Sequence, residues 1–156
     1  MNKRDSLVLQ LELVWWAVTA IVVAGILYPI YKAMYHWPYQ QWNIIFIVTL
    51  ITLSRYIFLL QHTFLANRQV LKVALLLCMF PVTFALIGGL NGFMTYIEEH
   101  TWEPLTGHLP ELNRKPMESY IMNEMMFFGA GSIIAAPVFA IRLMRSIWTT
   151  RNRGVV

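Results

Sequence analysis

Four long apolar runs dominate the sequence, at roughly residues 8–31, 43–64, 70–96 and 117–143. An α-helix needs about 20 predominantly apolar residues to cross the hydrocarbon core of a bilayer, and each run is long enough to do so. The runs are continuous, whereas the strands of a membrane β-barrel alternate between apolar and polar residues. The sequence therefore predicts an all-α, polytopic membrane protein: a single domain of four transmembrane helices in an antiparallel bundle.

The composition fits this class of protein better than a soluble one. Of the 156 residues 58% are hydrophobic and 13% are charged, against about 25% charged residues in a soluble domain. The net charge of +4 does not indicate nucleic-acid binding, because the basic residues flank the apolar runs instead of forming one patch. The single cysteine, Cys78, can form no intrachain disulfide, CxxC centre or zinc cage. The first run is too long for a signal peptide and has no clear cleavage site, so we interpret it as a retained span.

Lysine and arginine residues predict the orientation of the bundle, since cytoplasmic loops carry an excess of both. With the N-terminus inside, eight of them lie inside and three lie outside. The inner set is Lys3, Arg4, Arg68, Lys72, Arg142, Arg145, Arg151 and Arg153, and the outer set is Lys32, Arg114 and Lys115. We therefore expect a multi-pass protein with both termini cytoplasmic. Its small size and strong charge bias suggest the inner membrane of a bacterium.

The three connections differ in character. The first is rich in aromatic residues, which prefer the headgroup level, and Pro29 is predicted to end the first helix there. The second connection is very short, so the second and third helices are predicted to be antiparallel neighbours. The third, residues 97–116, is predicted to be an outer loop, with Pro104 disfavouring a helix at Glu103. Its glutamates and histidines are most simply a solvated acidic loop, although a site for a hard metal ion is the alternative.

Small residues recur four apart on three of the predicted helices, the first of which carries Ala20 and Ala24. Ser132, Ala136 and Ala140 follow this spacing on the fourth helix, and Ala85 and Gly89 follow it on the third. Lipid tails are as apolar as leucine, so close backbone contact at small residues is a main source of helix association in membranes. The pattern predicts packing within the chain, with a dimer interface as the alternative.

Arg55 is the most informative single residue, because it lies near the middle of the second run. A charge at the membrane centre costs roughly 2.5–3.5 kcal/mol on insertion scales, so Arg55 should face the bundle and find a partner. Glu12 is the best candidate, since both residues fall in the inner half of the bundle. The pair could be a structural ion pair or contact a ligand or ion; alternatively, Arg55 could extend toward the inner headgroups.

The sequence carries no motif that names a reaction, metal or cofactor. It contains no HExxH, GxSxG or P-loop pattern, and no two histidines match in depth on facing helices as a bis-histidine haem would require. We predict no metal, no cofactor and no nucleic acid, and favour a protein that is not an enzyme.

Three functions remain compatible with these features. The first is a non-enzymatic subunit or scaffold that packs against other membrane chains or against copies of itself in the lipid bilayer. The second is an oligomeric small transporter or channel with Arg55 on its path. The third is a lipid-processing enzyme that uses Glu12 and Arg55 around a headgroup at the inner interface.

Overall fold

The computed structural model describes residues 3–34, 36–60, 63, 65 and 68–153. Within these ranges the chain is helical and contains no strand. Five helices are described. Four of them are long and apolar enough to cross a membrane, and the remaining short one precedes the last of these four. The helices in chain order are α1 (Lys3–Ala33), α2 (Gln40–Leu59), α3 (Gln69–His100), α4 (Glu103–Thr106) and α5 (Glu111–Arg153).

The helices extend beyond most of the predicted span boundaries, because hydropathy marks the apolar part of a helix and not its polar ends. Pro29 lies inside α1 instead of ending it. The exception is the second span, where α2 ends at Leu59. Three residues of the predicted run, Gln61, His62 and Phe64, lie outside the described residues.

The prediction of a loop over residues 97–116 is wrong for most of that segment. It holds the end of α3, the whole of α4 and the beginning of α5. Thr101 ends α3 with a positive φ of 58°, and Pro104 occupies the first turn of α4. Proline is tolerated in a first turn, where its missing N–H has no helical partner in any case. Glu103 is therefore helical despite the proline that follows it.

Helix α5 is the centre of the fold, with α2 and α3 packed along it. Asn43 of α2 contacts Glu124 of α5, and Tyr56 further along α2 packs against Phe139 further along α5. These two helices therefore run parallel. Helix α3 runs the other way along α5. Glu12 in the first half of α1 meets Arg55 near the end of α2, whereas Ile26 near the end of α1 meets Tyr120 in the first part of α5. Helix α1 is therefore antiparallel to both α2 and α5.

Helices α2 and α3 are antiparallel, but they touch each other little. They meet where α2 begins and α3 nears its end: Tyr39 Oη donates to the Gly92 carbonyl at 3.0 Å, and Trp42 covers Gly89. The short connection predicts that α2 and α3 pack against each other, but along most of their length each of them packs against α5 instead. The second and third spans are therefore connected through α5 more than through direct contact.

Glycines on α5 allow α2 and α3 to approach it from both sides. A Cβ at Gly129 would lie 2.8 Å from Leu90 of α3, and a Cβ at Gly131 would lie 2.9 Å from Leu50 of α2. A larger residue at either position would displace a neighbouring leucine. These glycines explain how one helix can hold two others.

The structure divides the predicted small-residue stripes. Ser132 and Ala136 are fully buried, Ala140 is half-buried and Gly89 is buried. Ala85, which the four-residue spacing places in the same stripe as Gly89, is exposed on α3. The prediction of packing within the chain is therefore wrong for Ala85, because α5 contacts a different face of α3.

Candidate functional site

Arg55 and Glu12 lie together between α2 and α1. Arg55 Nη1 donates to Glu12 Oε2 at 2.9 Å, and Nη2 lies 2.7 Å from Oε1. The Arg55 side chain is 5% exposed and that of Glu12 is 17% exposed. A side chain that reached the headgroups would leave its guanidinium exposed. The structure therefore places Arg55 in a two-point ion pair and not in a solvent-seeking conformation.

Two aromatic rings flank this guanidinium. The centroid of the Trp15 ring lies 5.6 Å from Arg55 Cζ, and that of the Tyr56 ring lies 5.5 Å from it. Such distances fall within the range of cation–π attraction. Nε of Arg55 is buried without a partner among the described residues. Both η nitrogens of the guanidinium thus lie against Glu12, whereas Nε makes no hydrogen bond to the described residues.

A second buried polar pair joins α2 to α5. Asn43 is fully buried and Glu124 is 7% exposed. Asn43 Nδ2 donates to Glu124 Oε1, while Glu124 Oε2 and Asn43 Oδ1 have no hydrogen-bond partner among the described residues. On α2 Asn43 lies twelve residues from Arg55, which is about 18 Å along a helix. The two pairs are therefore separate sites at different depths.

Sequence reasoning missed the role of Asn43. The sequence shows Glu124 as an acidic residue of the fourth apolar run, at a different depth from Arg55 under the predicted topology. An asparagine at the edge of an apolar run is a weak signal by itself. The parallel register of α2 and α5 would have brought the two residues to one level, but that register is not readable from hydropathy.

Tyr120 extends this polar region to α1. It lies one turn before Glu124 on α5, and its hydroxyl donates to the Ile26 carbonyl at 2.8 Å. Pro29, three residues further along α1, has no N–H to donate to the carbonyl four residues before it. Tyr120 thus anchors α1 in the turn that its internal proline weakens.

The residues of the third connection form a cap on the helix ends. Thr106 is fully buried, and its Oγ1 donates to Glu118 Oε1 at 2.6 Å. Arg114 donates to the Thr106 carbonyl and forms an ion pair with Glu103 at 3.2 Å. His108 Nε2 lies 2.9 Å from the Ala33 carbonyl. The cap thus ties α4 to the beginning of α5 and the end of α1.

The alternative of a metal site in this region gains no support from the geometry. Across the described parts of the chain, no three His, Cys, Asp or Glu side chains come close enough to share an ion.

The opposite end of the bundle carries a further polar contact. Lys72 is 1% exposed, and its Nζ donates to Ser146 Oγ at 3.0 Å. The sequence presents Lys72 as an orientation signal at a short connection, whereas the structure also uses it to join α3 to α5.

No family model matches this chain, and neither the search of curated proteins nor the search of solved structures returned a match. The fold defines the class: over the described residues the protein is all-helical, with four helices able to span a membrane.

Proposed function

We propose that this protein is a non-enzymatic subunit or scaffold of a membrane complex, and that it docks onto another transmembrane helix through α3. The observation that supports this is a stripe of small residues on α3, Ala85, Gly88 and Gly92, all of them exposed. A Cβ at Gly88 or at Gly92 would meet nothing within 4 Å. Small residues on an exposed face allow the backbone of a second helix to approach closely.

The contacts of Arg55 favour this function over the two alternatives. A transporter or channel with Arg55 on its path requires the guanidinium to face a hydrated route, and a lipid-processing enzyme requires it to reach a headgroup. In this structure Glu12 binds both of its η nitrogens, and the side chain is 5% exposed. This geometry supports a structural ion pair, which suits a scaffold.

Photo-crosslinking can test the docking proposal in native membranes. Phe84 is 73% exposed and lies one turn before Gly88, and Phe127 on α5 is a matched control at 67% exposed. Replacing each in turn by p-benzoylphenylalanine changes little of the side chain's shape. We expect irradiation to produce a protein–protein adduct from position 84, whereas position 127 should give lipid adducts alone. Mass spectrometry of the adduct would identify another chain or a second copy.

Gly88→Leu should weaken that adduct without disturbing the fold, because open space surrounds this position. We expect a loss of about tenfold in association, equivalent to about 1.4 kcal/mol. Equal protein adducts from positions 84 and 127, or an adduct that persists in Gly88→Leu, would contradict docking through this stripe.

We also propose that both termini are cytoplasmic, as the distribution of lysine and arginine predicts. Two exposed positions on α5 serve as probes, Glu111 near its beginning and Asn152 near its end. In a Cys78→Ser background, a cysteine at position 111 should react with a membrane-impermeant maleimide added to intact cells. A cysteine at position 152 should react only after the cells are opened. The reverse pattern would invert the topology.

A further inference from the structure

Glu124 and Asn43 leave an imbalance of hydrogen-bonding groups inside the protein. The amide donates to Glu124 Oε1, which uses one end of each side chain. At the other ends, Glu124 Oε2 and Asn43 Oδ1 are both acceptors and both lack a donor among the described residues. A buried polar atom left without a partner loses the hydrogen bonds that water would give it, so two such acceptors in one contact call for an explanation.

No positive charge in the described structure balances a carboxylate at this position. On the same helix, the hydroxyl of Tyr120 already donates its hydrogen bond to the Ile26 carbonyl. Helix α2 has no ionisable side chain from Gln40 to Ser54. The ionisable groups at the corresponding end of α1, Tyr28, Tyr31 and Lys32, are exposed, as are Glu98, Glu99 and His100 of α3. Tyr96 of α3 stacks on His100 instead.

The nearby guanidinium of the cap is already used. Arg114 forms its ion pair with Glu103, and the other ion pair of the described residues joins Arg55 to Glu12. Glu124 therefore occupies a buried site that holds no cation from the described residues, and an ionised carboxylate there would carry a large desolvation penalty.

We propose that Glu124 and Asn43 form a proton-binding site, in which Glu124 carries a proton on Oε2 and donates it to Asn43 Oδ1. One proton converts Oε2 from an acceptor into a donor and supplies Oδ1 with the hydrogen bond it lacks. The result is a closed acid–amide pair with two hydrogen bonds of opposite direction. This pair is neutral, so α2 and α5 are held together without a buried charge. The site is independent of the docking surface on α3.

Infrared spectroscopy of the full chain in lipid nanodiscs tests the protonation state directly. The protein has eight acidic side chains, so substitution is needed to assign the carbonyl band of a protonated carboxylic acid. We expect the native protein at neutral pH to show this band and Glu124→Gln to lack it. Glu111→Gln, which changes an exposed carboxylate at the start of α5, should leave the band unchanged.

Exchanging the two groups provides a second test. In Asn43→Asp combined with Glu124→Gln, the acid lies on α2 and the amide on α5, and the pair can close with the same two hydrogen bonds. We expect the band that Glu124→Gln removes to return in this double variant. Glutamine mimics a protonated glutamate, so Glu124→Gln should unfold at the same detergent concentration as the native protein. Glu124→Ala should unfold at a lower detergent concentration.

Three results would overturn the proposal. The first is a native spectrum without a carboxylic-acid band. The second is a band that survives in Glu124→Gln, which would place the proton on another residue. The third is a double variant whose band stays absent, which would show that the two side chains do not share a proton as a pair.

Discussion

Glu12→Leu is expected to destabilise the protein by roughly 3–5 kcal/mol, the range found when one partner of a buried ion pair is removed. The Arg55 side chain is only 5% exposed in the native structure, and the substitution removes the carboxylate that pairs with it. An arginine cannot shed its charge by losing a proton, so the protein must either hold an unpaired cation or rearrange to hydrate it. Titration of the protein from mild detergent into sodium dodecyl sulfate, followed by circular dichroism, measures the change in stability.

Replacing both partners should be far less damaging than replacing Glu12 alone. Well-packed apolar residues often substitute for a buried ion pair at little cost, and here the surroundings include the rings of Trp15 and Tyr56. We therefore expect Glu12→Leu combined with Arg55→Met to recover most of the lost stability. Arg55→Met alone should have an intermediate effect, because a carboxyl can neutralise itself by taking up a proton.

Gln10→Leu is the matched control, since Gln10 is an exposed polar residue on the same helix. It should leave the unfolding midpoint close to that of the native protein. If Glu12→Leu proves as mild as Gln10→Leu, the contact between Glu12 and Arg55 contributes little to stability. The structural argument for a scaffold over a transport path would then lose its support.

The sequence predicts the helices and the contact between Glu12 and Arg55 for related reasons. Hydrocarbon requires long apolar helices, and hydropathy therefore reveals where they lie. A charge within such a helix stands out, and matching its depth to the acids on other helices identifies a small set of partners. Neither inference requires knowledge of which helices touch.

The remaining features depend on helix–helix contacts, which hydropathy does not encode. Predicting the pairing of Asn43 with Glu124 requires knowing the parallel register of α2 and α5. Predicting the exposure of Ala85 requires knowing which face of α3 meets α5. Even the central position of α5 follows from details such as Gly129 and Gly131, each facing a leucine of a different helix. A four-residue spacing of small residues shows that a helix can pack closely, but not on what.

Adjacent glycines on α3 separate folding from association. Gly89 is buried, and a Cβ built on it would overlap the ring of Trp42, with Cζ3 2.6 Å away. Gly88 is exposed, and a Cβ there would meet nothing within 4 Å. The same substitution at the two positions therefore adds the same atoms to the same helix, once inside the fold and once on its surface.

We expect Gly89→Leu to cost about 3 kcal/mol, the upper part of the usual range for overpacking a well-packed interior. The Trp42 ring is rigid and also packs against Phe46, so it cannot move aside as the end of a leucine can. Gly88→Leu should unfold at the same detergent concentration as the native protein while losing the photo-adduct from position 84. Equal unfolding midpoints for the two variants would mean that Trp42 does not pack on α3 as described, since a ring held against Gly89 leaves no room for the added side chain.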